Sequence, residues 1–266
     1  MRIGIGLPAA VPDADMTTIG AWAEAAERRG FASVGVIDRL VYDNLDPLTA
    51  LAAAAATTSR VELVTTVLNV NWRGNPTLLA KQLSSVDRLS GGRVVAGLGM
   101  GGWPADYAAS GVATAGRLAT FRRALPGLQA AARTLLGGTV PAAVERAATA
   151  PSEGWVAPLF GLDLLRSGAA TLAKAWADAG REGRPRVVTG RYVGLGAAAN
   201  AVADDYIRHY YGAEYFGPAR ADTWTSPARI RTELTRLRDA GCTDVVLYPC
   251  SGDPGQVELI ADAVGR

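Results

Sequence analysis

Short runs of apolar, often β-branched residues alternate with longer stretches of helical periodicity along the whole chain of 266 residues. Strand-like runs that alternate with helices are typical of a parallel sheet built from repeated βα units. Each of the eight predicted strands is followed by a helical stretch, and the strands are Arg2–Leu7, Ala32–Ile37, Val61–Leu68, Arg93–Leu98, Thr134–Leu136, Gly154–Leu159, Arg186–Val193 and Asp244–Tyr248. This pattern predicts an α/β fold.

The predicted helices begin and end at recurring signals. Asp46, Asn75 and Ser226 each precede a proline, which places a capping side chain before a residue suited to the first helical position. Gly30 and Gly241 supply left-handed stops. The resulting helices cover about Ile19 to Gly30, Pro47–Thr58, Pro76–Leu89, about Gly116 to Ala132, a segment that begins at Pro141, Ala197–Tyr211, Pro227–Gly241 and a last segment that closes the chain.

The order of these elements favours one closed barrel. A chain of this length is close to the ~250 residues typical of a (β/α)8 barrel, and no linker or internal repeat interrupts the series. We therefore predict a single (β/α)8 TIM barrel that spans residues 1–266 as one domain. The same alternation leaves a doubly wound sheet open as the alternative.

Composition and charge exclude several classes of protein. The formal net charge is +2, and no run of Lys or Arg is dense enough to bind a phosphate backbone, so nucleic acid is not expected as a partner. No segment approaches the ~20 apolar residues of a membrane-spanning helix, and the apolar run that ends at Pro8 is too short for a signal peptide. We expect a cytoplasmic protein without membrane contact.

The active site of a β/α barrel is built just past the carboxyl ends of the strands, and the residues there exclude several mechanisms. Both lysines, Lys81 and Lys174, fall within helices, which argues against Schiff-base chemistry. His209 is the only histidine and no G-x-S-x-G elbow occurs, so a Ser/His/Asp hydrolase is not expected. One histidine with Cys242 and Cys250 does not make a standard zinc site, and no metal is predicted. The strand ends carry mainly glycine, aromatic, Arg and Asp residues, which suit a bound cofactor.

The segment Gly97–Gly102, with the sequence GLGMGG, formally satisfies the G-x-G-x-x-G dinucleotide fingerprint. We reject that interpretation because Trp103-Pro104 follows in place of a helix, and because Arg122 and Arg123 stand where the fingerprint expects an acid. Two interpretations remain: a glycine-rich turn at the barrel rim, or a backbone surface that a flat ring can approach closely.

Several segments together resemble the luciferase-like family, which contains FMN-dependent monooxygenases and reductases and enzymes that use the deazaflavin F420. The matching segments are GFASV at 30–34 before Asp38, NP at 75–76, LAKQ at 79–82, DRLSGGR at 87–93 and GLG at 97–99. The resemblance is continuous to about residue 110 and collinear to the C-terminus. It implies a luciferase-like barrel that binds a flavin.

The resemblance also implies where the cofactor binds. It places the isoalloxazine ring beside Thr65, Thr66, Asn69, Gly99, Gly101 and Gly102. The turn formed by Gly137, Gly138 and Thr139 resembles the family's phosphate turn, and the following helix N-terminus would assist it. The expected substrate pocket is walled by Trp72, Trp103 and Tyr107.

Two departures from the family pattern affect the expected chemistry. Many members carry an aspartate-histidine pair after the second strand, whereas this chain has Asp38-Arg39. We expect Asp38 and Arg39 to face the reactive edge of the ring as the catalytic residues, with Arg39 holding an anion or a peroxyflavin oxygen. A hydrogen-bonded structural role for Asp38 is the alternative. The second departure is a shortened insertion before strand five, which leaves the pocket more open or covered by a partner.

The leading functional expectation is an FMN-dependent monooxygenase or reductase that acts on a small organic substrate, with reduced flavin supplied by a separate reductase as one route. The first alternative uses F420, whose acidic tail needs a basic channel, and Arg73 and Arg93 are the candidates at the rim. The second alternative is a flavin-binding barrel without catalysis.

The resemblance further implies a homodimer through the helices after strands two and three, where the alanine-rich run Ala50–Ala56 allows close contact. His209 lies among Tyr206, Tyr210, Tyr211, Tyr215 and Phe216, and we expect aromatic packing or a dimer surface there in preference to catalysis. Cys250 is expected to be a buried apolar residue in preference to a reactive thiol.

Overall fold

A computed structural model describes residues 1–149 and 151–266 of the protein. Eight parallel strands form a closed barrel in chain order, and β1 pairs with both β2 and β8. The strands are β1 (Arg2–Gly6), β2 (Ser33–Val36), β3 (Glu62–Asn69), β4 (Val94–Gly99), β5 (Arg133–Gly137), β6 (Gly154–Val156), β7 (Arg186–Val193) and β8 (Asp244–Pro249). The predicted barrel is confirmed, and the doubly wound alternative is excluded by the closure.

Helices surround the barrel and connect the strands. They are α1 (Ile19–Arg28), α2 (Pro47–Thr57), α3 (Pro76–Leu89), α4 (Pro104–Ser110), α5 (Arg117–Ala131), α6 (Pro141–Thr149), α7 (Leu162–Asp178), α8 (Ala199–Ala221), α9 (Pro227–Asp239) and α10 (Gly255–Ala263). Among the described residues, no helix combines the length and the apolar character needed to cross a membrane.

The strand bounds agree with the sequence prediction to within one residue except at β6. This strand ends at Val156, three residues before the predicted end at Leu159. Pro158 explains the early end, because proline has no N–H to donate to the ladder. The shortened insertion is also present, since α5 ends at Ala131 and β5 begins at Arg133.

Two helices correct the sequence prediction. The seven-residue helix α4 follows the glycine-rich segment directly, so the expectation that no helix follows Trp103-Pro104 is wrong. Pro104 occupies the first helical turn, a position that suits proline. The first helical segment of α8 ends before Gly212 as predicted, since Gly212 has the non-helical angles φ 69° and ψ −179°, but a second helical segment that was not predicted follows it through Ala221.

Apolar side chains fill the barrel and the layer between strands and helices. Inside the barrel, five adjacent strands contribute a separate cluster, which consists of Val64, Val95, Leu135, Val156 and Val188. A larger cluster packs the helices onto the outer face of the sheet, with Trp22 of α1 and Trp155 of β6 among its fully buried members. Both layers leave the carboxyl ends of the strands free to form a site.

Ion pairs close the opposite end of the barrel. The network consists of Arg2, Glu62, Arg133, Glu153, Arg186 and Asp244, which start or precede strands. Glu62 accepts from Arg2 at 2.7 Å and from Arg133 and Arg186 at 3.0 Å each. The network therefore fixes strand ends that lie far apart in the chain, at the end of the barrel away from the active site.

Candidate active site

A cleft with a volume of about 390 Å³ lies at the carboxyl ends of β3, β4, β5 and β6. Its lining residues are Thr66, Val67, Asn69, Gly99, Met100, Gly101, Gly102, Arg117, Gly137, Gly138, Thr139, Val140, Ala143, Val156, Ala157, Pro158 and Leu159. A deeper cavity of about 150 Å³ adjoins it, and the two share Thr66, Val67, Asn69, Gly102 and Leu159. The two form one continuous space at the mouth of the barrel, where β/α barrels place their active sites.

The structure brings the sequence-predicted cofactor residues together in this cleft. All eight line it: Thr66, Asn69, Gly99, Gly101, Gly102, Gly137, Gly138 and Thr139. Thr65 does not, which corrects its expected place beside the ring. Successive strand residues point to opposite faces, and the buried Thr65 hydroxyl donates to the Gly97 carbonyl at 2.9 Å.

The glycines of the cleft serve two different purposes. A Cβ at Gly99 or Gly137 would meet the Val67 side chain at 2.5 or 2.7 Å, so packing within the protein requires glycine at both positions. A Cβ at Gly101 would meet an indole ring at 2.4 Å. At Gly102 a Cβ would meet nothing within 4 Å, so the missing side chain there keeps the cleft open. Gly102 is therefore where a flat ring can approach the backbone.

One end of the cleft has the features of an anion site. The turn Gly137–Thr139 precedes α6, whose N-terminus carries partial positive charge. Trp155 donates its indole N–H to the Gly138 carbonyl at 2.8 Å and so holds the turn. Arg117, an exposed residue at the first position of α5, belongs to the same lining. Sequence analysis missed Arg117 because no motif marks it and it reaches the cleft only through the folding of α4 and α5.

Asp38 lines the deeper cavity and joins the ends of β2 and β3. The Asp38 carboxylate accepts hydrogen bonds from the Asn69 backbone N–H at 2.7 Å and from the Arg73 guanidinium at 3.0 Å. The side-chain amide of Asn69 donates to the backbone carbonyl of Asp38 at 2.8 Å. Burial raises the pKa of Asp38 to about 6, although the charge of Arg73 acts in the lowering direction. Asp38 thus orients Asn69, which lines both cavities.

Arg39 does not face the cavities, which corrects its expected catalytic position. Its guanidinium pairs with Asp106 of α4 at 2.7 Å and lies 3.9 Å from the ring centroid of Trp103. The side chain is 7% exposed and belongs to the lining of neither the cleft nor the deeper cavity. A partner far along the chain turns Arg39 away from the site and behind Trp103.

Two of the three predicted substrate-pocket residues also lie behind the lining. Trp72 packs against Gly101 and makes an edge contact with Tyr107, with ring centroids 5.7 Å apart. The Tyr107 hydroxyl donates to the Met100 carbonyl at 2.6 Å. Both residues therefore support the glycine-rich segment from behind, whereas Trp103 lines the deeper cavity as predicted.

Three tyrosines that were not predicted to line a pocket form one wall of the deeper cavity. Tyr192, Tyr210 and Tyr211 line it, and the hydroxyls of Tyr192 and Tyr211 lie 3.1 Å apart. Burial raises the pKa of all three, so each keeps its hydroxyl proton at neutral pH. The Thr66 and Tyr248 hydroxyls lie 2.5 Å apart and tie β3 to β8 below the cavity. The signal in the sequence was the alternation of β7, which points Tyr192 inward.

Other predicted candidates lie outside the cleft. His209 Nδ1 is 2.7 Å from the Tyr42 hydroxyl, in the aromatic packing expected of it. Cys250 is buried, and burial raises the pKa of its thiol. In the described part of the chain, no group of three or more His, Cys, Asp or Glu side chains is placed to hold a metal ion.

The two arginines proposed for an acidic tail are engaged elsewhere, which corrects that expectation. Arg73 pairs with Asp38 at 3.0 Å and with Asp46 at 2.9 Å. Arg93 precedes β4 at the other end of the barrel and donates to the Val61 carbonyl and the Thr58 hydroxyl. Arg117 is the charged residue in the described lining of the cleft.

Comparison with known proteins identifies the family. The family model for luciferase-like monooxygenases matches residues 1–134, which include β1 to β4 and the first half of the cleft. The chain belongs to this family. The members of this family are oxidoreductases and monooxygenases, and the chain has their barrel fold.

Two relatives match part of the luciferase-like chain. A 5,10-methylenetetrahydromethanopterin reductase of Methanolobus tindarius is 33% identical over 128 residues, which are 48% of this chain and 37% of that protein. An uncharacterised protein of Mycobacterium tuberculosis is 30% identical over 173 residues, with 54% of this chain and 60% of that protein covered. The matches thus span from about a third to three fifths of the length of these relatives.

Solved structures share the fold over nearly the whole chain. An F420-dependent secondary alcohol dehydrogenase in complex with an F420-acetone adduct superimposes with a TM-score of 0.78 at 14% identity, covering 99% of this chain and 98% of that one. The oxygenating constituent of 3,6-diketocamphane monooxygenase from Pseudomonas putida, in complex with FMN, gives a TM-score of 0.75 at 15% identity, with 99% and 97% covered. The structural neighbours therefore include both F420 and FMN enzymes.

Proposed function

We propose that this protein is a flavin-dependent oxidoreductase that binds FMN in the glycine-lined cleft and acts as a monooxygenase or reductase on a small organic substrate. The observation that carries the proposal is the cleft itself, which combines a backbone surface open at Gly102 with an anion site at Gly137–Thr139. When bound, FMN supplies the electron-transfer chemistry. The residues of the chain bind it, orient it and keep water away from it.

The two ends of the cleft fit the two ends of FMN. The ring end has apolar walls from Val67, Val156 and Leu159, with the Asn69 amide as a polar group. The other end offers the Arg117 guanidinium and the N-terminus of α6 to a phosphate. A single phosphomonoester matches this supply of positive charge. Asp38 and Arg39 are proposed as positioning residues, which act through Asn69 and Trp103 respectively.

F420 is the second candidate cofactor, and two of the similar proteins support it. A solved neighbour with the same fold is F420-dependent, and a partial relative is a methylenetetrahydromethanopterin reductase. Against it stands the charge of the cleft, because F420 carries a long acidic tail while Arg117 alone among the described lining residues is cationic. The choice between the two cofactors therefore depends on whether residues outside this lining supply positive charge to the acidic tail of F420.

Titration of the purified full-length protein separates these candidates. FMN, F420 and riboflavin, which has the ring of FMN without the phosphate, are added separately, and fluorescence and thermal unfolding are followed. We expect micromolar binding of FMN and at least tenfold weaker binding of riboflavin. Tighter binding of F420 than of FMN would replace the first candidate by the second. Tight binding of oxidised FMN without electron transfer to any organic substrate would favour a binding protein without catalysis.

We also propose that the protein forms a homodimer through α2 and α3. Ala53 and Ala56 of α2 are exposed and allow close approach of a second helix, and Leu78 of α3, the next helix of the layer, is 53% exposed. Light scattering after size exclusion is expected to give twice the chain mass of 27.6 kDa. The variant Leu78→Glu should shift the protein to monomer, and a wild-type monomer at micromolar concentration would contradict the proposal.

A further inference from the structure

A third cavity, of about 780 Å³, opens beside the deeper cavity at the mouth of the barrel. We call it the aromatic pocket, and its lining residues are Gly102, Trp103, Pro104, Phe160, Tyr211, Gly212, Ala213, Glu214, Tyr215, Pro218 and Ala219. It shares Gly102, Trp103 and Tyr211 with the deeper cavity. A molecule in the aromatic pocket therefore lies next to the space in which we place the reactive ring.

The kink in α8 shapes one wall of this pocket. Gly212 adopts φ 69°, a backbone conformation that favours glycine, and the helix resumes after it through Ala221. The residues just after the kink, Ala213 to Tyr215, all line the pocket. The opposite wall comes from Trp103 and from Phe160, which follow β4 and β6. The pocket is thus a product of the kink and of two strand ends, and Gly102 is the described residue that it shares with the lining of the cleft.

The chemistry of the lining is aromatic and almost uncharged. The Phe160 and Tyr211 rings meet edge to face with centroids 5.4 Å apart, and those of Trp103 and Tyr211 are 6.0 Å apart. Aromatic faces and edges in such an arrangement bind a further ring well. Of the described residues that line the pocket, Glu214 alone carries a charge, and no described cation forms an ion pair with it. The pocket therefore repels a carboxylate and offers no counter-charge to one.

We infer that the aromatic pocket binds the ring system of an uncharged, largely apolar organic substrate, and that Glu214 selects against acidic analogues. This inference rests on the proposed function for its meaning as a substrate site, although the binding itself does not depend on the cofactor. A volume of several hundred Å³ suits a compound of two or three fused rings. Gly102, which lines both spaces, sets one edge of such a compound against the cofactor cleft.

The test uses two probes that share a ring system and differ in charge. 2-Naphthol is neutral at neutral pH, and 2-naphthoate is an anion. Isothermal titration of the full-length protein, with and without saturating FMN, is expected to show binding of 2-naphthol and at least tenfold weaker binding of 2-naphthoate. Equal affinity for the two probes would overturn the inference.

Two variants locate the binding. Ala213→Trp fills the pocket and should abolish 2-naphthol binding, whereas Ala201→Trp, at an exposed position of the same helix, should leave it unchanged. Glu214→Gln should raise the affinity for 2-naphthoate about threefold to tenfold and leave that for 2-naphthol unaltered. Unchanged 2-naphthol binding by Ala213→Trp would contradict the assigned location.

The aromatic pocket and the flavin cleft can be tested separately, because each binds its own probe. If 2-naphthol binds in the aromatic pocket while neither FMN nor F420 binds, the pocket stands and the flavin proposal falls. If a flavin binds while Ala213→Trp and wild type bind 2-naphthol equally, the flavin proposal stands and the aromatic pocket is not the substrate site.

Discussion

Asp38 and Arg39 stand side by side at the end of β2, and each is held by a partner from a different element. Arg73, in the turn after β3, pairs with Asp38, and Asp106 of α4 pairs with Arg39. Both ion pairs are buried, so each fixes a loop of the barrel mouth to β2. Asp38 thus acts on the site through Asn69, and Arg39 acts on it through Trp103.

The buried position of Arg39 predicts that its removal affects stability first. Arg39→Met leaves the Asp106 carboxylate buried without a cation, and we expect the free energy of unfolding to fall by about 3 kcal/mol. The double variant Arg39→Met/Asp106→Asn removes the stranded charge and keeps an acceptor for the Val41 N–H, so it should recover more than half of the loss. Urea unfolding of both variants checks this. A loss of turnover with wild-type stability would instead restore a catalytic role to Arg39.

Asp38 predicts a pH dependence of stability. Its folded-state pKa is raised to about 6, so its contribution to stability is fully present below the unfolded pKa and is lost as the pH rises through about 6. The stability of wild type relative to Asp38→Asn should therefore increase by about 2 kcal/mol between pH 8 and pH 4.5. Denaturant unfolding of both proteins at several pH values measures it. A difference that stays constant with pH would show that Asp38 is ionised throughout.

At the residue scale, sequence reasoning located the cleft better than it oriented the side chains. Asn69 and the glycines lie at the carboxyl ends of strands or just past them, and in a barrel these ends all lie at the same mouth. Arg39, Arg73 and Trp72 could not be oriented from the sequence, because their directions depend on partners that only the fold brings near. Arg117 was missed for the same reason.

At the element scale, the turn between β5 and α6 depends on a neighbouring strand. Gly138 has φ 151°, and the indole of Trp155 in β6 donates to its carbonyl. Trp155 is fully buried and packs against Gly168 of α7, where a Cβ would meet the ring at 2.3 Å. Two successive βα units, β5–α6 and β6–α7, thus support one turn, and we assign Trp155 as a positioning residue for the anion site.

This arrangement predicts an effect on phosphate recognition in particular. Trp155→Phe removes the hydrogen bond to Gly138, so FMN affinity should fall about threefold to tenfold. Riboflavin affinity should not change, because riboflavin has no phosphate to bind at the turn and its ring is proposed to lie beside Asn69 and Gly102. Fluorescence titration of both compounds gives the ratio of the two affinities. Parallel losses for FMN and riboflavin would indicate a general structural defect and contradict the positioning role.

The sequence predicted most elements because their signals are local. Proline after a capping residue marks the starts of α2, α3 and α9, where Asp46, Asn75 and Ser226 accept backbone N–H groups as expected. The second helical segment of α8 was not predictable in this way, since no capping residue followed by proline marks its start after Gly212 and Pro218 lies within it.

At the scale of the whole molecule, the stabilising ion pairs and the candidate active site lie at opposite ends of the barrel. The ion-pair network occupies the amino ends of the strands, and the cleft and the aromatic pocket occupy the carboxyl ends. Burial acts to raise the pKa of Glu62, but the hydrogen bond from Arg2 and the charges of Arg186 and Arg133 outweigh it and hold that pKa below its ordinary value. The network therefore stabilises the ionised carboxylate.

Glu62→Gln tests the network. The folded-state pKa of Glu62 is lowered, so the stabilisation that Glu62 provides is present above its unfolded pKa of about 4.3 and is lost as the pH falls through the folded pKa. We expect the variant to be less stable at pH 7 by on the order of 1–2 kcal/mol, with cofactor affinity unchanged. The difference from wild type should shrink below pH 4. An equal loss of flavin binding would contradict the separation of the two ends.

The central claim is that the cleft holds the phosphate of FMN, and Arg117→Met tests it most directly. We expect the variant to bind FMN about tenfold to a hundredfold more weakly than wild type, because a charge-assisted hydrogen bond to phosphate is lost, and to bind riboflavin as wild type does. Arg123→Met, at an exposed position on the same helix, is the matched control and should bind both as wild type does. Equal FMN affinity in Arg117→Met and Arg123→Met would place the phosphate elsewhere and contradict the account.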